Sequence, residues 1–387
     1  MLITRLKLRN WRNFREVDVH LGPRGYVIGA NASGKSNFLD VFRFLRTVAL
    51  TEGGGLQKAL KERGGLSKLR SLHARREPEV RIEVEVSEDE SDVKAVWRYV
   101  LAFKSEGKGQ QRVLVHEESV EKNGKVLFSR PDAHDRRDPA RLTQTFLEQI
   151  NANAQFRELV VFFSSTTYLH LVPQLLKHSD EISGRILEND PFGQGLLQRI
   201  ARTPAKTQEA RLRRIQQALE VAVPQFSELK FEQDSITGFP HLKANFKHWR
   251  VNGAWQREDQ FSDGTLRLIG FLWALQEGDG LLLLEEPELS LNDAITEHIP
   301  LMIDRVLRQR KKGGFLRQVL STTHSDTLVA AITDPASILL LEPGDNGTVV
   351  RTANEDEQNE MRHGLNPSEV MLPKTRPQNI EQMGLFK

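Results

Sequence analysis

The chain has 387 residues, 39% of them hydrophobic, and carries a net charge of +2 at neutral pH. That length supports two or three structural units around at least one large core, and the small net charge excludes a global electrostatic argument for nucleic-acid binding. No cysteine is present, which excludes disulfides and thiolate metal sites, and no apolar run reaches the length of a membrane-spanning helix.

The first predicted elements are strands. Residues 2–8 and 13–21 alternate apolar and polar side chains, and a third short apolar run, residues 26–28, follows a glycine- and proline-containing turn. Because the chain starts in a strand and not in a signal-peptide pattern, we expect a cytoplasmic protein. Residues 78–130 alternate like an antiparallel meander, with a tight hairpin at Asn123 and Gly124.

The later elements are predicted from their apolar spacing. In chain order they are helix in 139–158, a central strand in 160–171, helices in 190–226, short strands in 229–255, an apolar helix in 266–275, buried strands at 281–284, 316–321 and 337–341, and a loosely ordered polar tail in 352–387.

The strongest motif is G-A-N-A-S-G-K-S at residues 29–36, which fits the phosphate-loop pattern G-x-x-x-x-G-K-[ST] between a predicted strand and a predicted helix. Its two glycines allow backbone N–H groups to point inward, and the helix adds its positive N-terminal end. Lys35 supplies a cation for the β- and γ-phosphates, and Ser36 offers a hydroxyl to Mg²⁺. A chance match is the alternative, but the flanking elements favour a nucleotide site. The predicted contacts are Gly29, Asn31, Ser33, Gly34, Lys35, Ser36 and Asn37.

A second motif, L-L-L-L-E-E-P-E at residues 281–288, ends a buried strand in acidic residues. Ligands bind at the carboxyl ends of strands in α/β folds. Glu285 is therefore predicted to hold Mg²⁺, directly or through water, and Glu286 to orient or deprotonate the attacking water. A strand ending in solvated acids is the alternative, and it is preferred only if the motif is taken without residues 29–36.

Two further motifs are weaker. Ser262, Asp263 and Gly264 begin the predicted apolar helix, where free N–H groups can bind an anion, although a simple capped helix has the same pattern. His324 follows another buried strand and is placed to hydrogen-bond a γ-phosphate. A structural histidine is the alternative and, from position alone, the more frequent case.

The order of these four motifs resembles the ABC-type ATPases, and most closely their RecF, OLD and SMC branch. Residues 9–14, R-N-W-R-N-F, are similar to the start of that branch, and F-S-D-G-T at 261–265 resembles its short helix motif. E-L-S-L-N at 288–292 looks like the dimer-contacting loop after the catalytic glutamate. Residues 51–260 match only in their general plan.

The resemblance implies an α/β fold, an ABC-type P-loop ATPase core with an antiparallel β arm and a helical insertion lobe. The implied divisions are 1–138 (first half of the core with the β arm), 139–260 (insertion lobe), 261–345 (second half of the core) and 346–387 (polar tail). ATP and Mg²⁺ are the implied cofactors, and Arg12 joins the nucleotide contacts. A homodimer is implied in which Lys35, Ser36, Glu285, Glu286 and His324 of one subunit share each site with Ser262, Asp263 and Gly264 of the other.

Three residues depart from the family pattern: Ala32 stands at a common glycine, Glu285 at a common aspartate and Asn292 at a common histidine. The family also places a glutamine at the metal between the two halves of the core. Gln144 is the first choice for that role and Gln149 the second.

A basic stretch after the phosphate-loop helix is predicted to contact duplex DNA, with a solvated loop as an equally weighted alternative. Its cations are Lys58, Lys61, Arg63, Lys68, Arg70, Arg75 and Arg76. A second cluster is better explained as a solvated helix end; it comprises Arg305, Arg308, Arg310, Lys311 and Lys312.

The sequence therefore predicts a Mg²⁺-ATP-dependent dimeric switch of the RecF/OLD type that senses DNA or controls a partner. Only about 45 residues follow the last predicted core strand, fewer than a domain usually has. OLD-type relatives carry a nuclease there, so we expect a separate effector such as a nuclease, with a role in anti-phage defence by analogy. DNA repair of the RecF type, a transporter's ATP-binding subunit and a regulatory binder with negligible turnover remain alternatives.

Overall fold

The computed structural model describes residues 1–74, 77–88, 95–107, 112–178, 190, 192–247, 254–308 and 317–376. The chain forms two compact units. The first comprises Met1–Thr166, Asp279–Leu283 and Leu307–Lys387, and the second comprises Thr167–Gly278 and Leu284–Val306. No helix among the described residues is long and apolar enough to cross a membrane.

The described strands, in chain order, are β1 (Leu2–Trp11), β2 (Phe14–His20), β3 (Arg24–Gly29), β4 (Val80–Ser87), β5 (Trp97–Ser105), β6 (Val113–Lys122), β7 (Lys125–Arg130), β8 (Thr167–Leu169), β9 (Phe226–Gln233), β10 (Pro240–Phe246), β11 (Ala254–Arg257), β12 (Leu281–Glu285), β13 (Gln318–Thr322), β14 (Ile338–Glu342) and β15 (Val349–Thr352).

The described α-helices are α1 (Lys35–Ala49), α2 (Leu56–Glu62), α3 (Leu66–Leu69), α4 (Ala133–Arg137), α5 (Arg157–Ser164), α6 (Pro173–Lys177), α7 (Leu196–Arg202), α8 (Ala205–Ala222), α9 (Asp263–Gln276), α10 (Asp293–Thr296), α11 (Ile299–Leu307), α12 (Asp326–Ala330), α13 (Glu355–Arg362) and α14 (Pro367–Met371). Short 3₁₀ turns lie at Pro139–Thr143, Ala154–Phe156, Glu258–Gln260, Pro335–Ser337 and Leu372–Thr375.

The first unit contains the predicted antiparallel meander. Its six strands run in the order β2-β1-β4-β5-β6-β7. The β1–β2 hairpin pairs Leu6 with Val19 and Leu8 with Val17, so its alternating apolar residues share one buried face. This register confirms the predicted alternation, because a slip of one residue in the pairing would turn these side chains toward solvent.

The core sheet of the first unit includes β15-β14-β3-β13-β12 in that order. Strands β13 and β14 both pair with β3 in parallel, with Thr322 opposite Val27 and Leu341 opposite Gly29. The four leucines 281–284 of β12 are fully buried, as predicted for an interior strand. Helix α1 follows β3 and buries Phe38, Phe42 and Leu45.

The second unit combines a small sheet with helices. Strands β11-β10-β9 form an antiparallel sheet, and α8 buries Leu212, Ile215 and Leu219, which recur at helical spacing. Helix α9 is buried along most of its length, from Leu266 to Leu275.

Two predictions of secondary structure are wrong. Residues 160–171 are not one strand, because α5 continues to Ser164 and only β8 is extended. Leu159, Val160, Phe162 and Phe163 are buried, whereas Val161 is exposed, so the run is a helix with one apolar face. Residues 139–156 form 3₁₀ turns and irregular chain, and helix begins only at Arg157. In an apolar run this short, the spacing of the side chains does not distinguish a helix from a strand.

The predicted loose tail is also wrong as far as residue 376. Helices α13 and α14 each begin with a capping box, Asn354 with Glu357 and Asn366 with Glu369. Glu357 accepts two hydrogen bonds from Arg351, at 2.8 and 2.9 Å, and Met371 is buried. The last part of the predicted tail, residues 377–387, lies outside the described residues.

Candidate nucleotide-binding and acidic sites

The phosphate loop joins β3 to α1 in the first unit, as predicted. Gly34 adopts φ 102° and an added Cβ would lie 2.1 Å from Asn13 Nδ2, so a glycine is required on both counts. Ala32 adopts φ 63°, a left-handed conformation that glycine adopts without strain and that this chain carries with alanine. The loop backbone therefore keeps a left-handed conformation at two positions.

Lys35 folds back over the loop. Its Nζ donates to the carbonyl oxygens of Gly29 at 3.0 Å and Ala30 at 3.2 Å, and the residue is buried. The Ser33 hydroxyl is buried and has no hydrogen-bond partner within the described part of the chain. A fixed ammonium and an orphaned hydroxyl within one glycine-containing loop are groups that suit phosphate oxygens.

Arg12, Asn13 and Asn37 form a polar cluster at the start of α1. Asn13 Nδ2 donates to Ser33 O at 2.7 Å, and Asn37 Nδ2 donates to Asn13 Oδ1 at 2.7 Å. Arg12 donates to Asn37 Oδ1 at 3.1 Å and to Asp40 at 2.7 Å. The motif R-N-W-R-N-F therefore holds the phosphate loop from the tip of the β1–β2 hairpin.

Arg63 is not available as a DNA contact. Its guanidinium donates to both carboxylate oxygens of Asp40, at 2.8 and 2.9 Å, and its side chain is only 7% exposed. Burial opposes the charge of Asp40, but Arg63 and then Arg12 outweigh it and hold the pKa of Asp40 below its ordinary value. The basic pattern of the sequence did not identify this internal ion pair.

The other described cations of the basic stretch lie differently. Lys58 is 3.9 Å from Glu62, and Lys61 and Lys68 are exposed. Lys68 and Arg70 line a cavity of about 450 Å³ with Arg12, Asn13 and Asn37. Both cations are thus as well placed for an anion bound beside α1 as for DNA. Arg75 and Arg76 lie outside the described residues, as do Arg310, Lys311 and Lys312 of the second cluster.

His324 lies where the sequence predicted it, two residues after the end of β13 and directly after Thr323. Thr323 N donates to Val27 O at 3.2 Å, so the end of β13 is held beside the end of β3. Since these strands are parallel, His324 and the phosphate loop occur at the same edge of the sheet. His324 is exposed, which suits a side chain that contacts a ligand.

Gln144 follows a residue that contacts the start of α2. The carbonyl of Thr143 accepts from Gln57 at 2.8 Å, at the start of α2, and Gly55 N donates to Thr47 O at 2.8 Å. Thr47 lies about 16 Å along α1 from Ser36. Gln144 itself accepts from Gln149 at 3.3 Å. These contacts lie toward the far end of α1 from Ser36, and the metal-contacting role of Gln144, and of Gln149 after it, stays a prediction.

The acidic residues end β12 in the second unit. Glu285 closes the strand and accepts a hydrogen bond from the Tyr168 hydroxyl of β8. Glu286 adopts φ 46°, a left-handed conformation that is unusual for glutamate and is concentrated at functional sites. Sequence reasoning missed Tyr168, because 117 positions separate it from Glu285 and no local pattern connects the two.

Ser262 caps α9 and Gly264 lets a loop approach it. Ser262 Oγ accepts from Thr265 N at 3.1 Å. A Cβ on Gly264 would lie 2.5 Å from Ser290 O, so the turn after Glu286 can pack on the helix start only above a glycine. Asp263 is bound by Lys177 at 2.8 Å and by Gln174 at 2.7 Å, and the Lys177 hydrogen bond lowers the pKa of Asp263.

Arg267 is a further residue that sequence reasoning missed. It lies on α9, one turn after Asp263, with the carboxylates of Asp263, Glu286 and Glu288 in its electrostatic environment. Burial lowers the pKa of its guanidinium, and these three acids oppose that effect. The structure therefore places the Arg267 guanidinium close enough to interact electrostatically with Glu286, and Arg267 belongs to the same helix as the Ser262–Gly264 motif.

Within the described ranges, no group of three histidine, cysteine, aspartate or glutamate side chains could hold a metal ion by itself. A magnesium ion bound with a nucleotide does not need such a group, because phosphates and water supply most of its ligands. The Ser36 hydroxyl and the Glu285 carboxylate are oxygen donors of the kind that magnesium prefers, so the residues present fit that ion.

A family model described as "AAA domain, putative AbiEii toxin, Type IV TA system" matches residues 26–330, more than half of the chain. The chain belongs to this family. A 59-residue segment is 42% identical to the DNA replication and repair protein RecF of Chlamydia caviae, over 13% of this chain and 16% of that protein.

Two solved structures share the fold over nearly the whole chain. An SMC head bound to the C-terminal winged-helix domain of ScpA has a TM-score of 0.55 at 16% identity, covering 92% of this chain and all of that one. An Smc head with an extended coiled coil, bound to the C-terminal domain of ScpA and derived from Pyrococcus furiosus, has a TM-score of 0.51 at 13% identity, covering 94% and 98%. The fold is that of an ABC-type P-loop ATPase of the RecF/SMC-like branch, as predicted.

Proposed function

We propose that the protein hydrolyses ATP with Mg²⁺ and uses the cycle as a conformational switch. The phosphate loop carries this proposal, because Lys35 is fixed over it and the buried Ser33 hydroxyl is directed to no protein partner among the described residues. Ser36 and Glu285 would hold the magnesium ion, which neutralises phosphate charge when bound. Lys35 binds phosphate oxygens, Glu286 orients or deprotonates water, and His324 donates to the terminal phosphate.

Two substitutions test the assignment. Lys35→Ala should remove most ATP affinity, because the loop loses its only side-chain cation, whereas Glu286→Gln should retain ATP binding and lose hydrolysis, because an amide is not a base. Calorimetry and phosphate release measure the two effects. Lys125→Ala, an exposed lysine at the start of β7, is the matched control. Normal ATP affinity in the Lys35 variant, or normal turnover in the Glu286 variant, contradicts the assigned role.

We also propose that two chains share each ATP site, with Ser262–Gly264 acting from the opposite subunit. Lys35→Ala and Ser262→Arg homodimers should each be inactive. Random mixing makes about half of the dimers mixed, with one intact site in two, so activity should return to about a quarter of the parent value. No recovery at any ratio, with subunit exchange shown separately, would argue against a shared site.

The switch is proposed to control a separate effector, with a nuclease in anti-phage defence as the first candidate. The family description, which names a toxin and a type IV toxin–antitoxin system, supports an assignment to such systems. Purification of the parent and of Glu286→Gln with ATP, followed by identification of co-purifying proteins, tests it. A partner retained equally in both, with or without ATP, would contradict nucleotide control.

DNA repair or maintenance of the RecF type is the second candidate, and the RecF segment at 42% identity favours it. Duplex DNA should then raise the ATPase rate of the parent protein and leave Glu286→Gln inactive. A rate unchanged by DNA at low salt, where phosphate contacts are strongest, would exclude this candidate.

A further inference from the structure

Tyr168 is the central residue of the short strand β8, and its side chain reaches across to the end of β12. Its hydroxyl donates to Oε2 of Glu285, and both residues are half-buried in the second unit. An ionised carboxylate only accepts hydrogen bonds, so the phenol must be the donor.

A glutamate at this position needs such a partner more than an aspartate would. Its side chain has one additional rotatable bond, so more rotamers are open to its carboxylate, and each hydrogen bond to that carboxylate removes some of them. A hydrogen bond to a charged acceptor is roughly twice as strong as one between neutral groups. The phenol of Tyr168 therefore restricts where the second oxygen of Glu285 points.

We propose that Tyr168 is a positioning residue that orients the Glu285 carboxylate for the magnesium ion of the bound nucleotide. The inference rests on the proposed function, since it concerns the same metal. It adds a residue from β8 that contacts neither phosphate nor metal in its role, and that acts only through Glu285.

Tyr168→Phe removes one oxygen and preserves the ring, so the packing of β8 is retained. Introduced together with Glu286→Gln, which keeps ATP intact, it allows metal binding to be measured without turnover. Mn²⁺ is the probe, titrated at saturating ATP and followed by electron paramagnetic resonance. We expect the Mn²⁺ concentration at half-saturation to rise on the order of tenfold, as for loss of a hydrogen bond to a charged group, while ATP affinity in EDTA stays unchanged.

The chain supplies a matched control. Tyr99, in β5, also donates its hydroxyl to a carboxylate, Glu118, at 3.2 Å within the β arm. Tyr99→Phe should leave the Mn²⁺ titration unchanged. In a Glu285→Ala background, Tyr168→Phe should have no further effect, because the group through which it acts is absent.

An unchanged Mn²⁺ titration in Tyr168→Phe overturns the inference, and so does tighter binding, which would make the phenol a competitor of the metal. An equal effect in the Glu285→Ala background also overturns it. If the parent protein binds no Mn²⁺ with ATP, the proposed function fails and the inference fails with it. If the parent binds and only the Tyr168 result is negative, the proposed function stands.

Discussion

The Asp40 ion pair allows a stability prediction with an internal control. Asp40 lies on α1 and accepts a bidentate contact from Arg63, at 2.8 and 2.9 Å, plus one bond from Arg12 at 2.7 Å. The side chains of Asp40 and Arg63 are 9% and 7% exposed. Asp40→Asn keeps the shape but removes the bidentate counter-charge of the buried Arg63 guanidinium, which then has only the more distant Glu62 carboxylate at 3.8 Å.

Removal of one partner from a buried ion pair costs about 3–5 kcal/mol. An amide oxygen still accepts one of the Arg63 bonds, so we expect the lower end, about 3 kcal/mol, for Asp40→Asn. Asp18 makes the same bidentate contact with Arg5, at 2.7 and 2.8 Å, but these side chains are 47% and 29% exposed. Asp18→Asn should cost less than about 1 kcal/mol.

Urea unfolding can be followed by tryptophan fluorescence, to which all five tryptophans contribute. One of them, Trp11, is buried in this region, and its ring centroid lies 5.2 Å from that of Phe44 of α1. The difference in midpoint at constant slope gives the free-energy change. Since the pKa of Asp40 is held below its ordinary value, its contribution is present at neutral pH and is lost as pH falls through the folded-state pKa. Equal losses for Asp40→Asn and Asp18→Asn would refute the reasoning.

Three other predictions follow from the structure. Burial raises the pKa of Glu118 from 4.5 to about 7, so between these pH values the folded state holds a proton that the unfolded state releases. The free energy of unfolding should therefore fall as pH rises from 4.5 to about 7, by up to about 1.4 kcal/mol per pH unit. Urea titrations of Glu118→Gln should lack this dependence on pH. Gly264→Ala should retain ATP affinity and lose most turnover, because the new Cβ would displace the carbonyl of Ser290; parent-like phosphate release contradicts it. The last prediction neutralises four cations together: Lys68, Arg70, Arg75 and Arg76. The slope of log affinity for duplex DNA against log salt concentration should become less steep by about 0.9 for each DNA phosphate that the protein no longer neutralises. If filter binding gives an unchanged slope and ATP binding weakens instead, Lys68 and Arg70 contact the nucleotide and not DNA.

The features that the sequence predicted correctly depend on neighbouring residues. The phosphate loop needs a strand, two glycines and a helix start, and all lie within residues 24–49. His324 follows a buried strand, and the rule for parallel strands then places it at the edge where β3 ends. Local sequence and one topological rule were therefore sufficient for the phosphate loop and for the position of His324.

The features that were missed depend on contacts between distant residues. Tyr168 meets Glu285 only after β8 and β12 are both in place, and its own segment was predicted as the last part of a longer strand. Helix α5 was predicted as a strand because four of its apolar residues cluster within five positions, and such a cluster is compatible with a helix or a strand. The tail helices differ, since their capping boxes at Asn354 and Asn366 were visible in the sequence.

Arg63 shows why a run of basic residues does not define a surface. Its neighbours in sequence, Lys61 and Lys68, are exposed, yet Arg63 is drawn inward because Asp40 lies on the facing side of α1. Asp40 also forms an ion pair with Arg12, and this second pair connects two segments of the chain. Arg12 bonds Asp40 through its guanidinium and Leu69 O through its backbone N–H, at 2.6 Å. The start of α1 and the basic segment are thus joined through one hairpin tip, so a displacement of α1 at the phosphate loop must carry residues 69–71 with it or break these bonds.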